Sequence, residues 1–162
     1  MRAEETALLA IRSLTDEARI QTLKGDRPCN DRLLKVLYWL NTASQQGQEV
    51  HALMSRALAG HSRPSMTKDA LLRNARICES LGLFSPDNLA KMRRGVSPVI
   101  ERGPYAGEIA EVDHILPVSL FPQYDRAFWN LELMPRPMNR QKAAKIGDRQ
   151  RALLQRIASG ER

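Results

Sequence analysis

The sequence predicts a mainly α-helical protein with one small β-hairpin near its C-terminal end. Apolar residues recur at helical spacing through about the first 95 residues. Prolines and glycines then punctuate 96–107, a pattern typical of a loop. Two short runs with β-branched or aromatic residues follow at 108–116 and 128–134, and a last helical pattern covers 138–158. We therefore expect a helical region, 1–95, joined to a second unit, 96–162, that contains the hairpin.

Five helices are expected in the first region, and glycines or capping residues separate them. The separating residues are Gly25, Asn30 or Asp31, Gly47, Gly60, Ser65 or Thr67, Gly82, Ser85 and Gly95. Ser85 is the clearest helix start, because its hydroxyl can accept from backbone N–H groups and Pro86 suits the first turn. The first of these helices is expected to span 2–23 without a break.

The second unit is expected to run strand, loop, strand, helix. The first strand covers 108–116, and the second covers 128–134 and is ended by Pro135 and Pro137. Gly147 divides the final helical stretch, with Asp148 as the cap of its second part.

Composition and charge restrict the partners and the compartment. The chain has 162 residues, a net charge of +7 and a pI of about 9.9, which favours polyanionic partners such as nucleic acid. No apolar run is long enough to cross a bilayer, and the N-terminus lacks a signal-peptide core. Cys29 and Cys78 are expected to be buried free thiols, which fits a reducing cytoplasm. We therefore expect a cytoplasmic protein without a membrane partner.

Polar residues that suit phosphodiester hydrolysis fall on the second unit. Asp113 and His114 lie on the first strand, Asn130 lies on the second, and Asn139 lies at the start of the final helix. Hydrolysis of a phosphodiester needs an activated water and a cation that stabilises the developing charge. A histidine can take the proton from water, while a carboxylate and an amide oxygen are ligands that suit Mg²⁺.

In these residues the chain resembles the HNH (ββα-metal) endonuclease family. The matching stretches lie between residues 103 and 148 and read VDHILP from Val112, NLELMP from Asn130 and NRQK from Asn139. The resemblance implies a ββα-metal fold for the second unit and metal-dependent cleavage of nucleic acid, DNA in the first instance. It also implies that His114 is the general base and that Asp113 and Asn139 bind one Mg²⁺ or Mn²⁺. Asn130 would be the central asparagine, which holds the loop between the strands and orients the histidine.

The chain departs from the family in two respects. Many members have a histidine where Asn139 stands, and many have two cysteine pairs that bind structural zinc, which this chain lacks. The second unit must then be held together by apolar packing. The residues expected to pack there are Ile115, Leu116, Phe128, Trp129, Leu131, Leu133 and Ile146.

Basic residues surround the predicted site. Between 136 and 156 the sequence has seven basic residues and a single acidic one, Asp148, and such a bias favours contacts with phosphates. The residues expected to bind nucleic acid are Arg136, Arg140, Lys142, Lys145 and, ahead of the hairpin, Arg94. Lys142 follows Asn139 by three residues, one helical turn, where it can meet a phosphate. No motif predicts base recognition.

Several alternatives stay open at this level. Asn139 can be a helix cap, and Glu111, which shares a strand face with Asp113, fits a solvated position better than a role in supporting a metal ligand. The chain can also be an inactive nucleic-acid-binding module with the same fold. A third possibility is a protein-interaction module that works through its helical half.

Overall fold

The computed structural model describes residues 2–22, 29–142 and 144–162, with the backbone alone at 20–22 and 29–30. The helices are α1 (Ala3–Leu14), α2 (Glu17–Thr22), α3 (Cys29–Gln45), α4 (Val50–Ala57), α5 (Pro64–Leu81), α6 (Pro86–Arg93), α7 (Arg136–Gln141) and α8 (Asp148–Ala158). Strands β1 (Ala110–His114) and β2 (Leu131–Pro135) form a two-stranded antiparallel sheet. The predicted fold class, mainly helical with a small hairpin, is confirmed. None of the helices in these ranges is long and apolar enough to cross a membrane.

The predicted first helix is in fact two helices, and the break has a side-chain cause. The buried Thr15 hydroxyl donates to the Ile11 carbonyl (2.8 Å), one turn back in α1. Asp16 then accepts from the backbone N–H of Ala18 at 3.1 Å, a local bond that starts α2. The stop predicted at Gly25 lies outside the described residues.

Two of the predicted helix starts are wrong by a few residues. Asn30 and Asp31 both lie inside α3, which begins at Cys29. Likewise, α5 begins at Pro64, so Ser65 and Thr67 lie in its first turn. A proline in the first turn needs no N–H partner, and this explains a start without a side-chain cap.

The ends expected around α5 and α6 are confirmed. Gly82 terminates α5 in the left-handed conformation, with φ of 69°, which a residue with a Cβ rarely adopts. The Ser85 hydroxyl accepts from the Asn88 N–H at 3.3 Å and caps α6.

Cys78, near the end of α5, is a fully buried free thiol as expected, and burial raises its pKa to about 12. The side chain of Cys29 lies outside the described residues.

The hairpin has a shorter second strand than the sequence predicts. Residues Phe128–Asn130 form a 3₁₀ turn, closed by a bond from the Asn130 N–H to the Ala127 carbonyl (2.9 Å). Pairing begins one residue later, with His114 opposite Leu131, and runs to Ala110 opposite Pro135. A second 3₁₀ turn, Pro122–Tyr124, lies within the connection between the strands.

The hairpin is attached to α5 through a buried asparagine. Asn74 donates to the Leu131 carbonyl (2.9 Å) and accepts from the Leu133 N–H (2.8 Å). These bonds satisfy the edge of β2 that does not face β1, where backbone groups would otherwise lack partners. Val112, Leu131 and Leu133 share one hydrophobic core with the helices of the first region. The two predicted regions therefore pack on a common core, and the boundary at residue 95 stays a prediction.

A smaller apolar cluster holds the connection between the strands against α8. It contains Ile115, Leu116, Trp129 and Leu153, and Gln150 of α8 donates to the Ile115 carbonyl at 3.0 Å. The residues expected to pack the hairpin unit are buried, with one exception. Ile146 is 37% exposed, so its predicted role in the core is wrong.

Ile146 is exposed because the final helical stretch is interrupted over a longer segment than expected. Helix α7 begins at Arg136, before the predicted start at residue 138, and ends at Gln141. Helix α8 begins only at Asp148, which is its first residue and not its cap. The cap position is occupied by Gly147, whose N–H donates to the Gln150 side chain (3.0 Å).

Candidate active site

His114 is the last residue of β1, and its ring contacts the connection between the strands. Its Nε2 lies 2.8 Å from the backbone carbonyl of Asp125 and 3.0 Å from the Oδ1 of the same residue. The side chain of His114 is 22% exposed, so water can reach the ring. The imidazole is therefore held at one nitrogen on the surface of the molecule.

The contact with Asp125 determines which nitrogen of His114 is basic. A carbonyl oxygen can only accept a hydrogen bond, so Nε2 must carry the proton. In the neutral ring the lone pair then lies on Nδ1. A histidine in this tautomer can accept a proton from a water molecule at Nδ1 while Asp125 holds the opposite side.

Asn130 fixes both ends of the segment that carries this contact. It is fully buried, and its Oδ1 accepts from the Leu116 N–H at 2.7 Å. Its Nδ2 donates to the carbonyls of Leu116 (3.1 Å) and Tyr124 (3.2 Å). Leu116 follows His114 by two residues, and Tyr124 precedes Asp125. Asn130 thus acts on the position of the histidine and, being buried, does not contact a substrate.

The outer face of the hairpin has three carboxylates, each paired with basic residues. Glu111 and Asp113 lie on β1, and Glu132 lies on β2 opposite Asp113. Glu132 pairs with Arg73 of α5 (3.1 Å) and with Arg149 of α8. Side chains alternate along a strand, so these acids lie on the face opposite Val112, which is in the core.

Asp113 is largely buried among cations. Its Oδ2 accepts from Lys142 Nζ at 2.5 Å and from Arg149 at 3.2 Å, and its side chain is only 10% exposed. Lys142 also donates to the backbone carbonyl of His114 at 2.8 Å. The predicted metal ligand is therefore bound by a lysine that the sequence assigns to phosphate binding.

Asn139 lies beside Glu111. Its Nδ2 donates to Glu111 Oε2 at 2.9 Å, and Glu111 Oε1 accepts from Arg136 Nε at 2.7 Å. The expectation of a solvated Glu111 is wrong, because its side chain is only 20% exposed. Burial raises the pKa of the Glu111 carboxyl, but the hydrogen bonds from Asn139 and Arg136 and the charge of Arg140 outweigh it and hold the pKa below its ordinary value.

Glu111 also determines how the Asn139 amide is turned. A carboxylate can only accept, so the NH₂ side of the amide must face Glu111. The Oδ1 of Asn139 then lies on the side away from Glu111. Glu111 and Asp113 are two residues apart on one strand face, about 7 Å along the strand, and of the two it is Glu111 that Asn139 contacts.

The structure does not join the side chains of His114, Asp113 and Asn139 to one another, but gives each of them a different partner. His114 pairs with Asp125 under the control of Asn130, while Asp113 pairs with Lys142. Asn139 hydrogen-bonds to Glu111 and not to Asp113.

The basic residues predicted to bind nucleic acid differ in how exposed they are and in how closely they pair with acids. Arg140 and Lys145 are exposed, whereas Arg136 and Lys142 are partly buried against acids. Arg94 is exposed, and its neighbour Gly95 lines a cleft of about 300 Å³ together with Glu111 and Asn139. Of the predicted basic residues, Arg136, Arg140 and Lys142 contact acids on the outer face of the hairpin.

The donor set fits a hard divalent cation in kind. The Lys142 ammonium is a positive charge already held between a carboxylate oxygen and a carbonyl oxygen, and oxygen donors of these types bind Mg²⁺. No three His, Cys, Asp or Glu side chains of the described ranges form a metal-binding group. The predicted ligands, Asp113 and Asn139, include only one side chain of these types, so they would not form such a group. A cation bound by Asp113 would have to replace Lys142.

Three residues that matter to this geometry were not found by sequence reasoning. Asp125 gives no signal, because an acid in a connecting loop is ordinary. Asn74 and Arg149 lie in helices far from the hairpin in sequence, and only tertiary packing brings them to β2 and Asp113. The two-residue spacing did place Glu111 on the same strand face as Asp113, but its contacts with Asn139 and Arg136 were not predicted.

Comparisons with protein-family models, with curated proteins and with solved structures find no match to this chain. The functional assignment therefore depends on the residues and the geometry described above.

Proposed function

We propose that the chain is a divalent-metal-dependent endonuclease of the HNH (ββα-metal) type that hydrolyses phosphodiester bonds in nucleic acid, in the first instance DNA. The observation that carries the proposal is the contact of His114 Nε2 with the Asp125 carbonyl. This contact leaves Nδ1 as the basic nitrogen of an accessible ring. The preceding residue, Asp113, is a carboxylate that binds the Lys142 ammonium. The order of elements in residues 103–148 is strand, loop, strand and helix, which is the order that the resemblance implies.

The proposal gives each residue a task. His114 accepts a proton from the attacking water at Nδ1, and Asp125 holds the ring in the required tautomer. Asp113 and the Oδ1 of Asn139 would hold the Mg²⁺ or Mn²⁺. When bound, that ion supplies a positive charge next to the phosphate, which lowers the barrier to attack and stabilises the leaving oxygen.

The surplus of basic residues supports a polyanionic substrate. Glu111, Asp113 and Glu132 are balanced by Arg73, Arg136, Arg149 and Lys142. Arg140 lies 3.5 Å from Glu111 but is 67% exposed, and Lys145 is also exposed, so both are suited to phosphates. Such contacts bind without reading sequence, so we propose a nuclease with weak sequence preference.

The test is nicking of supercoiled DNA by the purified full chain with Mg²⁺, with Mn²⁺ and with EDTA. His114→Ala should lower the rate by about 10²–10⁴-fold, the usual contribution of a general base, and should retain salt-dependent DNA binding. His51→Ala is the matched control, since His51 is an exposed histidine of α4 far from the hairpin in sequence. Unchanged nicking by His114→Ala, or no metal-dependent nicking by the parent chain, would overturn the proposal. DNA binding without nicking would favour the inactive module.

A further inference from the structure

Lys142 differs from the other basic residues predicted to bind phosphates. Its Nζ donates hydrogen bonds to Asp113 Oδ2 (2.5 Å) and to the His114 carbonyl (2.8 Å), and its side chain is 20% exposed. Arg140, by comparison, is 67% exposed. The lysine therefore points into the candidate metal position, although its place after Asn139 suggested a phosphate contact.

A lysine and a divalent cation cannot share this position. Both need the Asp113 carboxylate, and two positive charges at a few ångströms repel each other. Arg149 also contacts Asp113 Oδ2 (3.2 Å), but it pairs with Glu132 as well, so it keeps an anionic partner when a cation binds Asp113. Lys142 stands just after the last residue of α7 in an extended conformation, and its four-carbon stem lets the ammonium move without a change of helix.

We propose that Lys142 exchanges Asp113 for a substrate phosphate when the divalent cation binds, and that it thereby couples the binding of metal to the binding of nucleic acid. This inference rests on the proposed function. In the absence of nucleic acid, Lys142 competes with the metal for Asp113. A backbone phosphate gives the displaced ammonium a new anionic partner, so nucleic acid makes the metal bind more tightly.

The coupling must work in both directions. If nucleic acid raises the affinity for metal by some factor, metal raises the affinity for nucleic acid by the same factor. Couplings of this kind amount to about 5- to 150-fold, and we expect about tenfold here. Lys142→Met, which keeps most of the stem and removes the charge, should abolish most of this factor. It should also raise the Mn²⁺ affinity of the nucleic-acid-free protein by about the same amount.

The experiment measures Mn²⁺ binding by electron paramagnetic resonance in full-length His114→Ala protein, so that no cleavage occurs. Titrations are made with and without a short DNA duplex, for the parent, Lys142→Met and Lys142→Arg. Lys142→Arg retains the charge and should bind Mn²⁺ no more tightly than the parent does. Lys68→Met is the control for net charge, because the Lys68 ammonium bonds to Ser55 on the helical side and its removal should leave both titrations unchanged.

The outcomes separate this inference from the proposed function. Tighter Mn²⁺ binding by Lys142→Met without DNA, together with a smaller effect of DNA, supports the coupling. Equal or weaker Mn²⁺ binding by Lys142→Met, or an undiminished effect of DNA, overturns it while the metal site stands. Absence of Mn²⁺ binding in every variant overturns the metal site and, with it, both proposals.

Discussion

Replacement of Asn130 by alanine tests the part of the site on which the position of His114 depends. The side chain is fully buried and makes three hydrogen bonds, to Leu116 N–H, Leu116 C=O and Tyr124 C=O. Alanine removes all three and leaves the backbone groups of the connection without partners. Because the site is enclosed, water cannot easily replace them.

The size of the effect follows from these contacts. A hydrogen bond in a folded protein contributes about 1 kcal/mol net, and buried groups left unpaired cost more than that mean. Three lost bonds therefore predict a loss of about 3 kcal/mol in the free energy of unfolding. For a chain of this length, each kcal/mol corresponds to about 2–4 °C in Tm, so we expect Tm to fall by about 6–12 °C.

Calorimetry of the full chain measures this change, and Asn41→Ala is its matched control. Asn41 lies partly exposed on α3, and its substitution should shift Tm by no more than about 2 °C. If Asn130→Ala melts within about 2 °C of the parent, the three hydrogen bonds do not stabilise the segment between β1 and β2. The account of how His114 is positioned is then wrong. Below its Tm, Asn130→Ala should also nick DNA more slowly than the parent, since Asp125 is no longer held against the ring.

Two further predictions concern the contacts around the hairpin. Asn74→Ala removes the bonds to Leu131 and Leu133 and should lower the free energy of unfolding in urea by about 2–3 kcal/mol; a loss below about 0.5 kcal/mol would show that the edge of β2 finds other partners. Glu111→Gln tests the lowered pKa of that carboxyl. A carboxyl whose pKa is lower in the folded chain stabilises it above its ordinary pKa, and this stabilisation is lost as pH falls through the folded value. The difference in unfolding free energy between the parent and Glu111→Gln should accordingly shrink between pH 6 and pH 3, and a difference that does not vary with pH contradicts the assignment.

The sequence was sufficient for the order of elements because the signals involved are local. Helical spacing, the Ser85 cap and Gly82 at the end of α5 all depend on residues within one or two turns. The hairpin was recognisable from two short runs and the residues that end them. The exact strand start was not, since the Asn130 N–H closes a 3₁₀ turn on the Ala127 carbonyl where alternation alone predicts a strand.

The features of the site that could not be predicted from the sequence depend on contacts between distant segments. Arg149 meets Asp113 across 36 residues, and Asn74 meets Leu133 across 59. No periodic pattern connects such positions. Lys142 illustrates the same limit in the site itself. Its spacing from Asn139 predicted one helical turn between them, whereas α7 ends at Gln141 and the Lys142 ammonium contacts Asp113.

The position of Lys142 also bears on how two neighbours on one strand can serve one reaction. Side chains of Asp113 and His114 leave β1 on opposite faces, so neither can align the other directly. Lys142 contacts the carboxylate of one and the carbonyl of the other. Movement of this single side chain therefore removes one positive charge from the Asp113 carboxylate and, at the same time, releases the peptide that carries the base. An arginine at this place would bind the carboxylate with both arms of its fork and exchange less readily, which is why the charge-retaining Lys142→Arg variant is expected to hold the metal-free arrangement at least as firmly as the parent.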